Sequence, residues 1–303
     1  MTASGPRTCA VVVSFNTREH LLKSLASLEA VLLPLEVVVV DNASDDGSAD
    51  AVAERFPATR LVRNPENVGF ARACNQGLAL ARAPYVLLLN SDAEVRPGAV
   101  EAMAALLDRR SDVAAVGPRT VEGDGALQVS FGPPLTPLGE WRQRRLVRGV
   151  RARRASALAE AERLASVEHE PAWLSGSCLL ARRDALAQVG GFDEAFFLYE
   201  EDVDLGQRLR QAGWRLLFTP AAEVVHHRGR SMERTPHRAR LEYHRSHLHY
   251  YRKHNGPLAT LALRAWLAAT AAAGWLRAWT SGAGGEPARR LHRDVLRAAL
   301  LGR

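Results

Sequence analysis

The first half of the chain alternates short, strongly apolar runs with stretches of helical periodicity, and this alternation limits the folds open to it. Three of the runs, Ala10–Val13, Val37–Val40 and Tyr85–Leu89, have the length and β-branched or aliphatic content of buried strands. Helical patterns lie between them, the clearest over residues 69–81. Buried strands that alternate with helices predict an α/β fold, in which a mostly parallel sheet is flanked by helices on both faces.

The length and composition of the chain fit one such domain with an addition. The 303 residues are 47% hydrophobic, which excludes a disordered chain and supplies a full core. We expect the α/β domain to occupy residues 1–235 and a helical extension to occupy 236–303. Residues 119–171 interrupt the alternation with prolines and an arginine-rich run, so we interpret them as an inserted, mobile segment.

The net charge of +7 is concentrated at the C-terminal end, where residues 226–303 carry 15 basic and 4 acidic side chains. A short apolar stretch between Arg264 and Arg277 accompanies this charge but is too short to span a membrane. Peripheral contact of residues 226–303 with an anionic membrane is one explanation. Packing against the first domain is the other. The arginine run at 142–154 has almost no interleaved aromatic residues, so we expect no nucleic-acid partner.

The cysteines and the N-terminal sequence bear on the compartment. Cys9, Cys74 and Cys178 are far apart in the sequence and form no C-x-x-C pair, which argues against a disulfide framework or a cysteine-built zinc site. The first apolar run is too short for a signal peptide. Together these features favour a cytoplasmic location, with the membrane contact on the inner face of the cell membrane.

Acidic side chains follow two of the predicted strands. Asp41 comes directly after the second run, and Asp92 lies three residues after the run that ends at Leu89. Open α/β sheets bind ligands at the carboxyl ends of their strands, although turn or cap residues occur there as well. The chain has no glycine-rich phosphate loop. Bound phosphate would therefore need a divalent cation such as Mn²⁺ or Mg²⁺, with oxygens from residues 90–92 and an imidazole from His226.

A second acidic pair, Glu201 and Asp202, lies at the start of a predicted helix. Carboxylates are favoured at helix N-termini, so helix capping explains the pair without any catalytic role. The functional alternative is a general base that removes a proton from an acceptor hydroxyl.

Seven motifs in a fixed order resemble those of the family 2 glycosyltransferases, and more narrowly their bacterial rhamnosyltransferase-like branch. The resemblance runs from about residue 8 to about residue 255, with a gap over 119–171. In chain order the motifs are VVVSFN (11–16), VVDNASDDGS (39–48), NVGFARACN (67–75), LNSD (89–92), WLSGS (173–177), GFDEAFFLYEEDVDL (191–205) and HHRGRS (226–231).

The resemblance implies a GT-A-type fold for the catalytic domain and an inverting sugar transfer from a nucleoside diphosphate sugar to a hydroxyl acceptor. It implies a glycan or lipid-linked acceptor and a role in bacterial polysaccharide or cell-envelope glycan synthesis. The branch favours rhamnose from a dTDP-linked donor, while UDP- and GDP-linked sugars remain open.

The resemblance also implies roles for individual residues. Asp41 would bind the base or ribose of the donor, and Asp92 the metal and diphosphate. Asn90 and Ser91 would flank that contact. The family usually has Asp-x-Asp here, and an amide at the first position is a weaker ligand for a hard cation. Further residues expected to line the donor site are Ser14, Asn16, Asn67 and Asn75.

By the same resemblance Asp202 would be the catalytic base, with Glu201 beside it. His226 would contact the metal or the diphosphate, and it precedes Ser231 by five residues, as in the family pattern. His227 is the alternative to His226.

Two other functions remain as alternatives. A sugar-1-phosphate nucleotidyltransferase uses a similar sheet, but it would normally have a glycine-rich basic loop near the N-terminus, which residues 11–20 lack. A non-catalytic, membrane-associated carbohydrate-binding or assembly subunit would have no need of Asp92, Asp202 and His226 together.

Overall fold

In the computed structural model of the chain, the described residues are 5–228, 236–280 and 285–301. The backbone divides into two compact units. The first comprises residues 1–193 and 202–231, and the second comprises residues 194–201 and 232–303. This division differs from the predicted boundary at residue 235 because residues 194–201 group with the C-terminal residues.

The elements of the first unit follow each other in the predicted alternation. Its strands are β1 (Thr8–Ser14), β2 (Leu35–Asp41), β3 (Arg60–Arg63), β4 (Tyr85–Asn90), β5 (Ala93–Val95), β6 (Val113–Val121), β7 (Leu127–Gln128), β8 (Phe131–Gly132), β9 (Trp173–Leu174), β10 (Cys178–Arg182) and β11 (Arg215–His226). Its helices are α1 (Arg18–Leu28), α2 (Ser48–Arg55), α3 (Phe70–Leu80), α4 (Ala99–Arg109), α5 (Pro137–Arg151), α6 (Ala155–Ala165), α7 (Arg183–Gln188) and α8 (Glu201–Gln211), of which Glu201 belongs to the second unit.

The strands of the main sheet lie in the order β3-β2-β1-β4-β10-β6-β11-β5, and β7 pairs with β6. The four strands from β3 to β4 are parallel to one another, and β6 is parallel to β11. Strand β10 runs antiparallel to both of its neighbours, and β5 runs antiparallel to β11. The sheet is therefore mixed, and the three strands that the apolar runs predict, β1, β2 and β4, are parallel neighbours in it.

The side chains of β1 alternate in direction, so the strand has an apolar side chain on each face, and helices cover both faces. Val12 lies in a core cluster with Leu21 of α1 and Met103 of α4. Val11 points to the opposite face, toward α3. A Cβ atom at Gly77 of α3 would lie 2.3 Å from a Val11 methyl carbon, so the small residues of α3 allow it to approach the sheet closely.

The segment over 119–171 contains regular structure throughout much of its length. Its first residues extend β6 as far as Val121, and β7 pairs with them. Strand β8 pairs with β9 in a separate two-stranded sheet. Helices α5 and α6 pack closely, since a Cβ atom at Gly149 would lie 2.4 Å from the Cβ of Ala157. Strand β8 and the helical pair thus lie outside the main sheet, while the mobility of the segment stays a prediction.

The second unit contains α9 (Pro236–His254), α10 (Gly256–Thr280) and α11 (Gly285–Leu301), which confirms the predicted helical C-terminal region. The side chain of Arg264 on α10 donates to the carbonyl of Ala299 on α11 at 2.7 Å. His237 of α9 lies 3.4 Å from Asp294 of α11. No helix in the described ranges combines the length and apolar character needed to cross a membrane.

Candidate active site

The carboxyl ends of β1, β2 and β4 meet at one edge of the sheet. In the parallel pairing Ser14 lies opposite Asp41, and Val13 lies opposite Asn90. The polar turns that follow these strands are therefore neighbours. This edge is where open α/β sheets bind ligands, and it contains most of the predicted donor-site residues.

Asp41 has one carboxylate oxygen without a partner. Its Oδ2 accepts a hydrogen bond from the Ser44 amide at 3.0 Å, which fixes the turn after β2. Its Oδ1 is buried and has no hydrogen-bond partner within the described ranges. A buried acceptor of this kind is costly unless something donates to it. Asp41 can thus accept a hydrogen bond from an N–H or O–H group of a ligand.

Asn16 links the turns after β1 and β2 instead of capping α1. Helix α1 begins at Arg18 with Thr17 as its N-cap, so Asn16 lies outside the helix. The side-chain oxygen Oδ1 of Asn16 accepts from the backbone amide of Asp45 at 2.8 Å. The backbone amide of Asn16 donates to the Ser44 hydroxyl at 3.0 Å. Asn16 has a φ of +54°, a conformation that asparagine tolerates better than most residues.

Asp46 completes this connection between the two turns. Its carboxylate accepts from the amide of Arg18 at 2.9 Å and from both the amide and the hydroxyl of Ser48. Burial raises the pKa of Asp46, but these hydrogen bonds outweigh burial and the net effect is a lowered pKa. The turn is held by a charged carboxylate at neutral pH.

A chain of buried hydroxyl groups joins the ends of β1 and β4. Ser14 Oγ and Thr17 Oγ1 are 3.2 Å apart, and Thr17 donates to Ser91 Oγ at 2.8 Å. The predicted donor residues Ser14 and Ser91 are therefore close together, and their hydroxyls are engaged with Thr17. Sequence reasoning missed Thr17, whose only signal is its place directly after the first motif.

Asn42 is a second residue that sequence reasoning missed. Its Oδ1 accepts from the Asn64 side chain at 3.0 Å and from the Val68 amide at 3.1 Å. Its Nδ2 donates to Asn67 Oδ1 at 3.0 Å and to the Gly69 carbonyl at 3.2 Å. The side chain of Asn42 thus fixes the loop before α3. Through its hydrogen bond to Asn42, the predicted donor residue Asn67 is held close to the end of β2, where Asp41 lies.

Asn75 takes part in a different contact from the one predicted. Its Nδ2 donates to the Phe192 carbonyl and its Oδ1 accepts from the Phe192 amide, both at 2.9 Å. The side chain therefore bonds both backbone groups of Phe192 and holds the turn at Gly191 and Phe192. This geometry supports a positioning role for Asn75, and its contact with the donor stays a prediction.

Asp92 and His226 face each other although they are far apart in the sequence. His226 is the last residue of β11, and it pairs with Ala93 of β5. Its Nε2 lies 3.2 Å from Asp92 Oδ1, with both side chains at least nine-tenths buried. On the other side of the ring, Nδ1 lies 3.1 Å and 3.2 Å from the amide atoms of Gln128, a residue of β7 that the motifs do not contain.

His227, the alternative to His226, lies in another environment. Its Nε2 is 2.7 Å from Glu94 Oε1, and its ring packs on His20 with centroids 5.0 Å apart. The structure therefore directs His226, and not His227, toward Asp92. Ser231, the serine of the family pattern, lies outside the described residues.

The residues near Asp92 can contribute to a cation site but do not complete one. Asn90 Oδ1 is buried without a hydrogen-bond partner among the residues described, and Asn90 Nδ2 lies 3.5 Å from His226 Nε2. Within the same residues no group of three histidine, cysteine, aspartate or glutamate side chains converges. A carboxylate, an imidazole and an amide oxygen fit Mn²⁺ or Mg²⁺ whose remaining ligands are water and substrate phosphates.

Asp202 is held in place by two backbone amides. Its Oδ2 accepts from the Gly176 amide and its Oδ1 from the Val203 amide, both at 2.8 Å. A Cβ atom at Gly176 would lie 3.4 Å from the Cβ of Asp202, so the backbone and the carboxylate approach closely. The carbonyl of the next residue, Ser177, accepts from the backbone amide of Asn90 at 2.9 Å. The loop between β9 and β10 therefore contacts both Asp202 and Asn90.

Glu201 is the first residue of α8 and is buried. It belongs to the second unit with Tyr199, the pKa of which is raised by burial and by the charge of Glu201. In the same unit Glu200 lies 2.7 Å from Nδ1 of the buried His247. Tyr199 and Glu200 have φ values of +70° and +66°, so the backbone before α8 is in a conformation that few non-glycine residues adopt.

Comparison with protein families decides the class. The model of the family described as glycosyl transferase family 2 matches residues 9–190. The chain belongs to glycosyl transferase family 2. The match includes the strand ends with Asp41 and Asp92 and the loop with Gly176, and the residues around Asp202 and His226 follow it.

Characterised relatives extend the match beyond the family model. The N-acetylglucosaminyl-diphospho-decaprenol L-rhamnosyltransferase of Mycobacterium tuberculosis is 35% identical over 252 residues, which is 75% of this chain and 78% of the relative. The pre-mycofactocin glycosyltransferase of the same organism is 32% identical over 230 residues, which is 74% of this chain and 44% of the relative. The rhamnosyltransferase WbbL of Escherichia coli is 44% identical over 55 residues, 18% of this chain and 21% of the relative.

Solved structures share the fold. A mannosyltransferase of Pyrobaculum calidifontis, in complex with GDP-Man and Mn²⁺, aligns with a TM-score of 0.58 and 21% identity, covering 98% of this chain and 87% of the other. GalNAc-T7 with UDP, GalNAc and Mn²⁺ aligns with a TM-score of 0.54 and 16% identity, covering 74% of this chain and 44% of the other.

These comparisons confirm the GT-A-type fold and the resemblance to the rhamnosyltransferase-like branch of the family. The predicted function is confirmed at the level of a glycosyltransferase of cell-envelope glycan synthesis. Neither the nucleotidyltransferase nor the non-catalytic subunit is favoured.

Proposed function

We propose that this family 2 glycosyltransferase transfers a sugar, with inversion at the anomeric carbon, from a nucleoside diphosphate to a hydroxyl of a glycan or lipid-linked acceptor. The observation that carries the proposal is the double contact of the loop between β9 and β10. Its Gly176 amide holds Asp202, and its Ser177 carbonyl holds Asn90, two residues before Asp92. This loop therefore connects the candidate base with the candidate diphosphate site. A single displacement requires a base for the acceptor hydroxyl and a site for the leaving diphosphate close to each other.

The nucleoside end of the donor would bind at the end of β2. Asp41 Oδ1 is the acceptor there, and the turns that hold it are fixed by Asn16 and Asp46. The Asn42 network keeps Asn67 and Gly69 beside these turns. Because these groups are already hydrogen-bonded to one another, little of the pocket needs to be ordered when the donor binds.

The diphosphate would be bound near Asp92 with Mn²⁺ or Mg²⁺. Asp92, His226 and the oxygen of Asn90 are the residues that would hold the cation, and Gln128 orients the imidazole from the far side. When bound, the cation neutralises negative charge that develops on the leaving diphosphate. The amide of Asn90 in place of a carboxylate predicts weaker metal binding than a site with two acids.

Asp202 would accept the proton of the acceptor hydroxyl. Two backbone N–H groups stabilise its ionised form, and its place in the first turn of α8 adds the favourable field of the helix N-terminus. The carboxylate attacks no sugar carbon itself, so one displacement by the acceptor oxygen inverts the configuration. Glu201, directly before it in the chain, would support the base.

We propose a deoxyhexose donor such as dTDP-rhamnose and a lipid diphosphate-linked acceptor. The support is the 35% identity to a rhamnosyltransferase that is named for a diphospho-decaprenol acceptor. The match covers most of both chains, 75% of this one and 78% of the relative.

We further propose that the protein contacts the inner face of the cell membrane through its second unit. Helix α10 exposes a series of large apolar side chains: Leu258, Leu261, Trp266, Trp275, Leu276 and Trp279. Leu258 is 82% exposed and Trp279 is 60% exposed, with the guanidinium of Arg289 above the Trp279 ring at 4.9 Å. Apolar and tryptophan side chains beside arginines are typical of helices that bind anionic lipid surfaces.

A transfer assay with product analysis tests the proposed function. The protein is incubated with Mn²⁺, a synthetic lipid diphosphate-linked acceptor and, in separate reactions, dTDP-, UDP- and GDP-linked sugars. We expect one donor to give a glycoside whose anomeric configuration, read by NMR, is opposite to that of the donor. Retained configuration would contradict the single displacement, and formation of a nucleotide sugar from a sugar 1-phosphate would indicate the nucleotidyltransferase.

A further inference from the structure

The first unit contains a cleft away from the strand-end site. Its volume is about 490 Å³, within the range of roughly 300–1,000 Å³ that ligand sites usually have. It lies among α5, α6, the end of β8 and the start of β11. Its apolar walls are formed by Phe131, Pro133, Pro134, Leu146, Leu164 and Pro171.

The charged residues of the cleft leave an excess of unpaired positive charge. Glu170 is neutralised by Arg110 at 3.2 Å and by Arg215 at 2.9 Å. Arg142 and Arg210 also line the cleft, and within the described ranges the side chain of neither forms an ion pair or a hydrogen bond. Glu160, which is exposed, is the remaining acid of the lining. The cleft therefore suits an apolar chain that ends in an anionic group.

Two elements connect this cleft with Asp202. Arg210 follows Asp202 by eight residues on α8, which corresponds to about 12 Å along the helix axis. Strand β9, whose Trp173 donates to the Pro133 carbonyl at 3.0 Å, leads directly into the loop with Gly176. Asp202 and Arg210 therefore lie about two turns apart on the same helix, so one element borders both the candidate base and the cleft.

We propose that this cleft binds the isoprenoid tail of a lipid diphosphate acceptor, with Arg142 and Arg210 contacting its diphosphate. The inference rests on the proposed function, because it assumes that the acceptor is lipid-linked. It assigns the pair α5 and α6 to acceptor recognition. The hydrocarbon contributes binding by leaving water, and the arginines select an anionic head.

Binding of farnesyl diphosphate, measured by titration calorimetry without any donor, tests the cleft directly. We expect Leu164→Asp on α6 to weaken binding at least tenfold, because it puts a charge into the apolar wall. Leu158→Asp is the matched control, since Leu158 is on the same helix, is 39% exposed and does not line the cleft. Equal affinity of the two variants would overturn the proposal, provided that both have the wild-type melting temperature.

The exposed Arg142 gives a variant that leaves the core intact. We expect Arg142→Gln to weaken farnesyl diphosphate at least threefold and to leave the binding of farnesol unchanged. Inorganic pyrophosphate should bind at least tenfold more weakly than farnesyl diphosphate. If pyrophosphate binds as tightly as farnesyl diphosphate, the tail is not recognised and the proposal is wrong.

The outcomes separate this inference from the proposed function. Transfer to a soluble glycan together with no binding of farnesyl diphosphate would overturn the cleft assignment and leave the transferase proposal standing. Tight, Leu164-dependent binding of farnesyl diphosphate without transfer from any nucleotide sugar would support the cleft and contradict the proposed reaction.

Discussion

His226 Nε2 lies 3.2 Å from Asp92 Oδ1, although 134 positions separate the two residues in the chain. The contact exists because β11 pairs with β5, so that His226 comes opposite Ala93, the residue after Asp92. Gln128 holds the other ring nitrogen. A carboxylate and an oriented imidazole thus meet at the edge of the sheet where β4 ends.

Removal of divalent metal should stop sugar transfer. We expect a chelator to abolish activity and Mn²⁺ or Mg²⁺ to restore it, because the diphosphate needs a cation in the absence of a glycine-rich loop. His226→Ala should raise the Mn²⁺ concentration for half-maximal activity by about tenfold, whereas His227→Ala should change it little. Full activity in chelator would contradict the metal assignment.

Loss of the Asn42 side chain should weaken both the fold and donor binding. Asn42→Ala removes one hydrogen bond each from Asn64, Asn67 and two backbone groups, which should cost about 1–3 kcal/mol of unfolding free energy. We expect a higher KM for the donor with a smaller change in kcat, since the loop before α3 is no longer fixed. Chemical denaturation and steady-state kinetics measure the two effects. An unchanged donor KM in a destabilised variant would show that the loop does not touch the donor.

The exposed apolar face of α10 should bind anionic lipid. In flotation with anionic liposomes at low salt, we expect the wild type to float and Leu258→Ser/Leu261→Ser to remain mostly in the soluble fraction. Leu32→Ser is the matched control, because Leu32 is 88% exposed but belongs to the first unit. If the wild type stays soluble at low salt, the membrane contact is refuted.

An ion-pair group at the start of β6 should make stability depend on acid pH. The hydrogen bond from Arg110 lowers the pKa of Asp112, and the charge of Arg215 lowers it further. Burial raises this pKa, but the net effect is a fall from 3.8 to about 2. Because the folded pKa lies below the ordinary value, the ionised carboxylate stabilises the fold above about pH 4. That stabilisation is lost as the pH falls toward 2.

Urea denaturation of wild type and Asp112→Asn measures this effect. We expect the wild type to have the higher midpoint at pH 7 and the difference to shrink as the pH approaches 2. The effect should be small because the pair is exposed to solvent. If the difference between the two midpoints grows as the pH falls, the ionised form of Asp112 does not stabilise the fold.

Much of the sheet can be predicted from the sequence because β1, β2 and β4 are continuous apolar runs that each end in a polar turn. That pattern locates Asp41 and Asp92 at strand ends without any tertiary information. The antiparallel insertion of β10 between β4 and β6 could not be predicted, since its pairing depends on contacts over about 90 positions of the chain.

The supporting residues were hidden for the same reason. Gln128 and Thr17 act through partners on other strands, so that nothing in their local sequence marks them. The sequence signals at Asn16 and Asn75 are ambiguous, because an asparagine near a helix start or in a motif is equally suited to capping, to ligand contact and to holding a turn. Their hydrogen bonds to Asp45 and Phe192, which hold turns, exist only in the folded chain.

The most direct test of the account is the single-turnover rate of Asp202→Asn at saturating donor and acceptor. We expect donor affinity to stay within about twofold of wild type and the rate to fall by about 10²–10⁴-fold, because the amide cannot accept the proton. Asp184→Asn is the control, since Asp184 lies in the first turn of α7 and also accepts from the amide of the following residue. A rate above one tenth of wild type would show that Asp202 is not the base.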